Sequence, residues 1–412
     1  MPRTSRPPVV QLSLLSPGFL SLALIAVFVL PALRGSLRQF AFIAINLAFL
    51  CVVLLGPASA VVIVLFALLG YGLACAAAGQ RRDRLVPALV LCVGLFVWLQ
   101  RYDFLQLLLP DAAFPRFVTT IGLSFLFFKV VHVIVDSYSG TLGPLELMTY
   151  LNYSLNFATF AMGPIQRFQD YRAQWEGIEP ALPDRFEPHL DAVVRILLGM
   201  VKVYVLAPWF EKFALRPDTN LLDLNLTGFI VQCYTFWIYL FLNFSGYCDV
   251  VIGIGSLFGV RPPENFNKPY LARNITEFWL RQHRSLTLWL TDYVFTPAYR
   301  KSLSTPWLAR HKLLAINLSL MLTMLVSGLW HGTTFSFLLF GLAHGLWFVV
   351  YRTWDQLLQR RLGKQAVRHL REHWLTRAAG VFLTFNATAF TFVFFRISPE
   401  VLLKTFRAMV SA

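Results

Sequence analysis

The sequence predicts an all-α, polytopic integral membrane protein, and three observations carry that prediction. Apolar residues make up 57% of the 412-residue chain and charged residues only 14%, against about 25% charged in a typical soluble domain. Mean hydropathy is positive, at +0.60. The apolar residues gather into runs of about twenty along the whole chain, the length an α-helix needs to cross a hydrocarbon core roughly 30 Å thick.

The runs place about ten to eleven spans. The basic start MPRTSRPP leads into an apolar run at 13–33. That run is too long for a secretory signal and lacks a small-residue cleavage pattern, so it is expected to stay in the mature chain. Runs at 39–56, 58–78, 85–100 and 117–135 complete an N-terminal region, 1–140, that is poor in chemistry-bearing side chains. A second region, 141–351, holds runs at 145–163, 190–209, 225–243, 313–330 and 333–351. A third, 352–412, is a basic loop followed by a last span at 377–396. No internal repeat or soluble domain is evident. Cys51, Cys75, Cys92, Cys233 and Cys248 fall in or beside apolar runs at spacings of neither a metal site nor a disulfide framework, and are expected to pack the core.

The formal net charge is +15, from 36 Lys and Arg against 21 Asp and Glu. Its clusters are RRDR at 81–84 and the longer segments 261–312 and 352–377. Positive residues in short loops mark the cytoplasmic side, and they also attract anionic lipid headgroups. A share of them suits the phosphates of an anionic cofactor such as coenzyme A. So apolar a chain argues against nucleic acid as a partner.

Two segments break the simple pattern. The stretch 225–260 is too long for one span and too apolar for a loop, and Asn243, Ser245, Gly246 and Asp249 interrupt it. A break in the helix is expected there, tolerated only inside protein or beside a water-filled cavity. Asp249 reads either as a functional group, the default for an intramembrane carboxylate, or as the structural partner of an arginine or a helix N-terminus. The second segment, 261–300, has apolar or aromatic residues at 275, 278, 279, 286, 289, 290, 293 and 294. This is the spacing of an amphipathic helix or helix pair at the interface, with Trp279, Trp289 and Tyr293 as its aromatic belt. His283 sits within it, between Arg281 and Arg284.

His331 lies in VSGLWHGTTF, between two apolar runs. With both long basic segments cytoplasmic, spans 313–330 and 333–351 carry this turn to the far side, or part-way down a funnel open to it. Ser327, Gly328, Gly332, Thr333 and Thr334 leave room beside the ring. An imidazole there has three uses that spacing alone does not separate: a helix–helix hydrogen bond, a proton relay, or a general base for a hydroxyl attacking an acyl carbonyl. Elsewhere, Lys129 paired with Asp136 and His132 lining the core stay open together. Arg167 reads as an interface anchor or a contact for a substrate anion.

The wider pattern narrows the choice. GYCDVVIGIGSLFGVRPPENFNKPYLARNITEFWLRQHRSLTLWLTDYVFTPAYR, then NLSLMLTMLVSGLWHGTTFSFLLFGLAHGLW, with LNFATFAMGPIQRFQDY upstream, resembles the membrane-bound O-acyltransferase family over about 150–350. It looks most like the bacterial branch that acts on alginate and teichoic acid. The resemblance implies a many-helix fold with a tunnelled core. In it an acyl group, acetyl above D-alanyl or longer chains, moves from a thioester donor, acyl-CoA or an acyl carrier, to a hydroxyl of an exported polysaccharide. It implies His331 and His283 as catalytic residues, Asp249, Asn265, Asn267 and Trp330 as substrate-lining or structural, and His344 as packing. It further implies the cell inner membrane with its lipid, no permanently bound cofactor or metal, and a periplasmic SGNH-hydrolase-like acetyltransferase as partner. Two positions depart from the branch: Gln282 stands where tryptophan is usual, and TPAYRKSLSTP replaces a glycine-rich turn. The competing class is a transporter or proton-coupled channel using Asp249, His283 and His331 as its pathway; the lack of a repeat counts against it.

Overall fold

The computed structural model describes residues 15–102, 105, 109–110, 121–177, 187–216 and 224–411. The basic start and the first residues of the expected spans 13–33 and 117–135 lie outside the described residues. Those described form α-helices joined by short 3-10 and π turns, with no strand among them. Among the described residues, seven helices are long and apolar enough to cross a membrane: Gly35–Leu54, Pro57–Ala77, Arg82–Gln100, Leu226–Phe258, Lys312–His331, Phe335–Leu362 and Trp374–Phe395. A shorter apolar helix, Pro17–Ala32, falls within the first expected span. It starts where Ser16 accepts the Phe19 amide at 3.2 Å, with Pro17 at its first position, a pairing that satisfies an otherwise orphaned donor. The protein is thus an all-α polytopic membrane protein.

Three details differ from expectation. The stretch 225–260 contains no break, for Leu226–Phe258 is one helix of 33 residues. Its polar residues are accommodated by neighbours instead of by unwinding: Gly246 lets another backbone approach, and Asp249 is paired with cations. At about 1.5 Å per residue the helix is roughly 50 Å long, so it outruns the hydrocarbon. The expected span 145–163 is not one helix. Leu147–Ser154 ends, Asn156 caps the short turn Phe157–Phe160, and extended chain runs to a helix at Phe168–Glu176. The backbone groups freed there find partners, as apolar surroundings demand: the Phe157 amide donates to Asn46 Oδ1 at 2.9 Å and the Tyr153 hydroxyl to the Gln166 carbonyl at 2.8 Å. Finally, the basic segment 352–377 is mostly helical. Phe335–Leu362 carries the preceding span onward, and Lys364–Glu372 forms a separate helix.

The chain divides into two compact units, 1–99 with 115–193 and 253–261, and 100–114 with 194–252 and 262–412. In the first, Phe19, Phe42, Phe49, Phe157 and Phe258 form an aromatic core. Lys129 and His132 are resolved here. Lys129 donates to the Tyr153 carbonyl and Thr159 Oγ1, both at 3.0 Å, while Asp136 pairs with His132 at 3.3 Å. The Phe168 amide donates to His132 Nε2 at 2.9 Å, so the ring's proton is on Nδ1, toward Asp136. Arg167 is half-buried and sits at the N-cap of Phe168–Glu176.

In the second unit, Lys312–His331 and Phe335–Leu362 form a tight hairpin. A Cβ on Gly328 would overlap the Phe337 carbonyl, and one on Gly341 the Met324 carbonyl. Small residues at such crossings let membrane helices pack backbone to backbone, and Gly341 and Gly345 supply a G-x-x-x-G stripe. A second crossing joins Glu187–Val201 to Leu226–Phe258, where a Cβ on Gly199 would come within 2.6 Å of the Gly246 carbonyl.

Candidate active site

The glycine crossing at Gly199 and Gly246 sets what Asp249 does. Arg195 and Lys202, seven residues apart and so on one helix face, both meet it: Arg195 Nε donates to Oδ1 at 3.0 Å and Lys202 Nζ to Oδ2 at 2.6 Å. Arg195 also holds Glu264 through two bonds of 2.5 and 2.6 Å. The fork of a guanidinium suits a carboxylate. Both carboxylates are thus matched with cations, and Asp249 has the arginine contact that its structural reading names.

His283 is placed by a break. The amphipathic segment is a helix pair, Ile275–Arg281 and Arg284–Leu290, and His283 joins them at φ 44, ψ 52. This left-handed backbone costs a β-carbon-bearing residue about 1–2 kcal/mol, and such cost gathers at functional sites. Asn265 holds it. The Asn265 carbonyl accepts the Arg284 amide at 2.9 Å. Its Oδ1 accepts the Ser285 amide at 3.1 Å and the Ser285 hydroxyl at 2.9 Å. An amide proton cannot point at another donor, so this atom is the oxygen, and His283 Nδ1, 3.2 Å from it, carries the proton. Nε2 is left as the basic nitrogen. Burial, with His331 adding to it, holds the pKa down to about 3, so the ring is neutral at ordinary pH.

His331 ends its helix because Gly332 follows in extended conformation, where a Cβ would overlap the Phe337 ring. Trp330 lies between the two histidines, its ring centroid 5.8 Å from His283 and 4.7 Å from His331. Phe244 closes on His283 at 4.8 Å, and Phe340 and Phe395 on His331 at 5.4 and 5.1 Å. The second unit therefore brings His283, His331, Trp330 and Asn265 into one aromatic-walled cluster. His344 is bound on both sides. Trp279 Nε1 donates to its Nδ1 at 3.3 Å, so its Nε2 donates to Thr391 Oγ1 at 3.0 Å. Asn267 is exposed, and its backbone amide bonds the Arg281 carbonyl at 2.9 Å. Phe244 and Ser285, which sequence reasoning did not single out, belong to the cluster; only the position of Ser285 two residues after His283 hinted at it. Among the described residues no group of three His, Cys, Asp or Glu is arranged to hold a metal.

Two histidines thus meet across a tryptophan in a helical membrane protein, one of them with a defined basic nitrogen. The sequence profile of MBOAT, the membrane-bound O-acyltransferase family, matches residues 42–395, and the chain belongs to that family. It is an integral membrane O-acyltransferase. It is 29% identical over 285 residues to "Teichoic acid D-alanyltransferase" of Streptococcus thermophilus, covering 67% of this chain and 68% of that protein. It is 31% identical over 301 residues to "Probable alginate O-acetylase AlgI" of Pseudomonas putida, covering 68% and 58%. To "Peptidoglycan O-acetyltransferase" of Helicobacter pylori it is 25% identical over 339 residues, covering 76% and 59%. The match thus spans under two thirds of the length of the latter two relatives.

Proposed function

We propose that this enzyme moves an acyl group, acetyl in the favoured case, from a cytoplasmic thioester to a hydroxyl of an exported or envelope polysaccharide across the cell inner membrane. The acceptor is reached directly or through a periplasmic SGNH-hydrolase-like partner. Two relatives named for O-acetylation and one for D-alanylation support an acyl group attached to an envelope polymer. The observation that carries the reading is the pairing of His283 and His331 around Trp330.

In this mechanism His331 takes the proton of the acceptor hydroxyl as its oxygen adds to the thioester carbonyl. The carbon–sulfur bond then breaks, and the proton passes to the departing thiolate, leaving an ester and a thiol. A positioned base of this kind contributes about 10²–10⁴-fold. Neutral His283 turns its basic Nε2 to the same hydroxyl and orients it, its ring fixed by Asn265. The thioester donor, CoA-linked or carrier-linked, enters beside the basic segment 261–312.

The test compares ester-linked acyl groups released by mild base from envelope and exported polysaccharide, in cells with wild-type protein or His331→Ala at equal membrane level. A fall of about 10²-fold or more in the rate of ester formation is expected. Unchanged ester content at equal protein level would rule the reading out.

A further inference from the structure

In the first unit Arg38 is a cation with no carboxylate partner among the described residues. Arg38, in the first turn of the Gly35–Leu54 helix, is 6% exposed. Its guanidinium lies 4.1 Å from the centroid of the Trp175 ring, which is itself stacked on Phe42 at 5.2 Å and on Tyr171 at 6.0 Å. Its one hydrogen bond among the described residues is a long one, 3.4 Å from Nη2 to the Phe258 carbonyl, and its Nε has no partner there. A buried charge ordinarily has a counter-ion, because removing an ion from water costs several kcal/mol unless an opposite charge repays it.

A cleft of about 320 Å³ opens on this group, lined by Arg34, Gly35, Arg38, Gln39, Trp175 and Glu176 among others. Arg34 is exposed at the rim and makes no ion pair among the described residues. Glu176 is the one carboxylate lining the cleft; it is 66% exposed and turns to Arg172 at 4.0 Å. Two arginines against one exposed glutamate leave the cleft positive. The free amides of the first helical turn begin at Gly35 in the same cleft, and a helix N-terminus favours anions. At Gly35 a Cβ would meet nothing within 4 Å, so the approach is open.

We propose that this cleft is a phosphate-binding site, in which Arg38 and Arg34 grip one phosphate group over the start of the Gly35–Leu54 helix. Guanidinium groups pair with phosphate through two parallel bonds, and Arg38 is pre-set for this by the Trp175 ring behind it. The helix is long and apolar enough to cross a membrane, so either an anionic lipid headgroup or a soluble phosphate ester can supply the ligand; the chemistry is shared. The site lies wholly in the first unit and rests on neither histidine.

The test uses the detergent-purified, delipidated full-length chain. Native mass spectrometry counts bound phosphatidylglycerol and, as a zwitterionic control, phosphatidylcholine; thermal shift follows pyrophosphate. One phosphatidylglycerol per chain, in preference to phosphatidylcholine, identifies a headgroup; stabilisation by pyrophosphate identifies a soluble phosphate. Arg34→Gln, a surface change, is expected to weaken either about tenfold, and Arg38→Gln about ten- to a hundredfold, the loss of one or more charge-assisted hydrogen bonds. Because Arg38 packs on Trp175, Arg34→Gln decides the matter if Arg38→Gln does not fold. Binding of neither ligand, binding indifferent to headgroup charge, or equal binding by folded Arg34→Gln overturns the proposal.

Discussion

Asn265→Asp puts a single charge beside His283 with almost no change of shape. The new carboxylate keeps the oxygen that accepts from Nδ1 at 3.2 Å and from Ser285. Its second oxygen replaces the Nδ2 that now lies 3.4 Å from Cys248 Sγ, and the thiol can donate to it. With a charge separation of about 4.5 Å and an effective dielectric constant of about 20, the carboxylate and an imidazolium attract by roughly 3–4 kcal/mol, enough to lift the pKa by about 2–3. A negative neighbour favours the cation, so the direction is upward, from about 3 to about 5–6. The wild-type enzyme is expected to show no loss from His283 between pH 5 and 8, since burial keeps the ring neutral there. In the variant, Nε2 becomes protonated as pH falls through about 5–6, and activity dependent on the neutral ring drops up to tenfold per pH unit below it. The assay is acyl transfer in reconstituted vesicles across pH 5–8, with thermal stability of the variant checked at each pH. A folded Asn265→Asp enzyme with the wild-type pH profile would refute both the assigned tautomer's importance and the role given to His283.

Asp249→Asn leaves Arg195 its two bonds to Glu264 but strips Lys202 of its carboxylate; partial exposure of the pair puts the cost near the low end of about 1.5–3 kcal/mol. A double-mutant cycle with Lys202→Met, followed by unfolding in detergent, is expected to show coupling, and simple additivity would contradict a structural pair. Gly341→Leu forces the helix hairpin apart at the Met324 carbonyl, destabilising the protein by about 1–3 kcal/mol or more and displacing His331. Gly94→Ala, in open space within the Arg82–Gln100 helix, is the control expected to leave ester formation unchanged and stability equal or raised by up to about 1 kcal/mol.

The spans most legible in sequence were those whose apolar residues are uninterrupted, such as 58–78 and 313–330, because burial and lipid exposure both select for apolar side chains there. Misreadings arose where polar residues had partners far along the chain. Phe157 and Asn46 are 111 positions apart in sequence, yet the latter satisfies the backbone amide that 145–163 leaves unbonded; no local rule announces that. Asp249 looked like a break because Arg195 and Lys202 were unseen, although two cations seven residues apart in an apolar run are themselves a signal of a common carboxylate. His283 and His331 were visible as residues, and the helix pair around His283 was foreseen as one of two forms. Their meeting at Trp330 and the grip of Asn265 on one nitrogen depend on a left-handed residue that spacing does not encode.

The ion network around Arg195 also joins groups that leave the ribosome at different times. Arg195 leaves the ribosome 54 residues before Asp249 and 69 before Glu264. A guanidinium carried alone into lipid by the translocon costs about 2.5–3.5 kcal/mol at a helix centre, and Lys202 adds a second charge. Both cations therefore precede their first carboxylate, which arrives only with Leu226–Phe258 and Asp249. The two helices are seated against each other at Gly199 and Gly246, and the charges of Arg195 and Lys202 are matched in full only once Glu264 has followed Asp249.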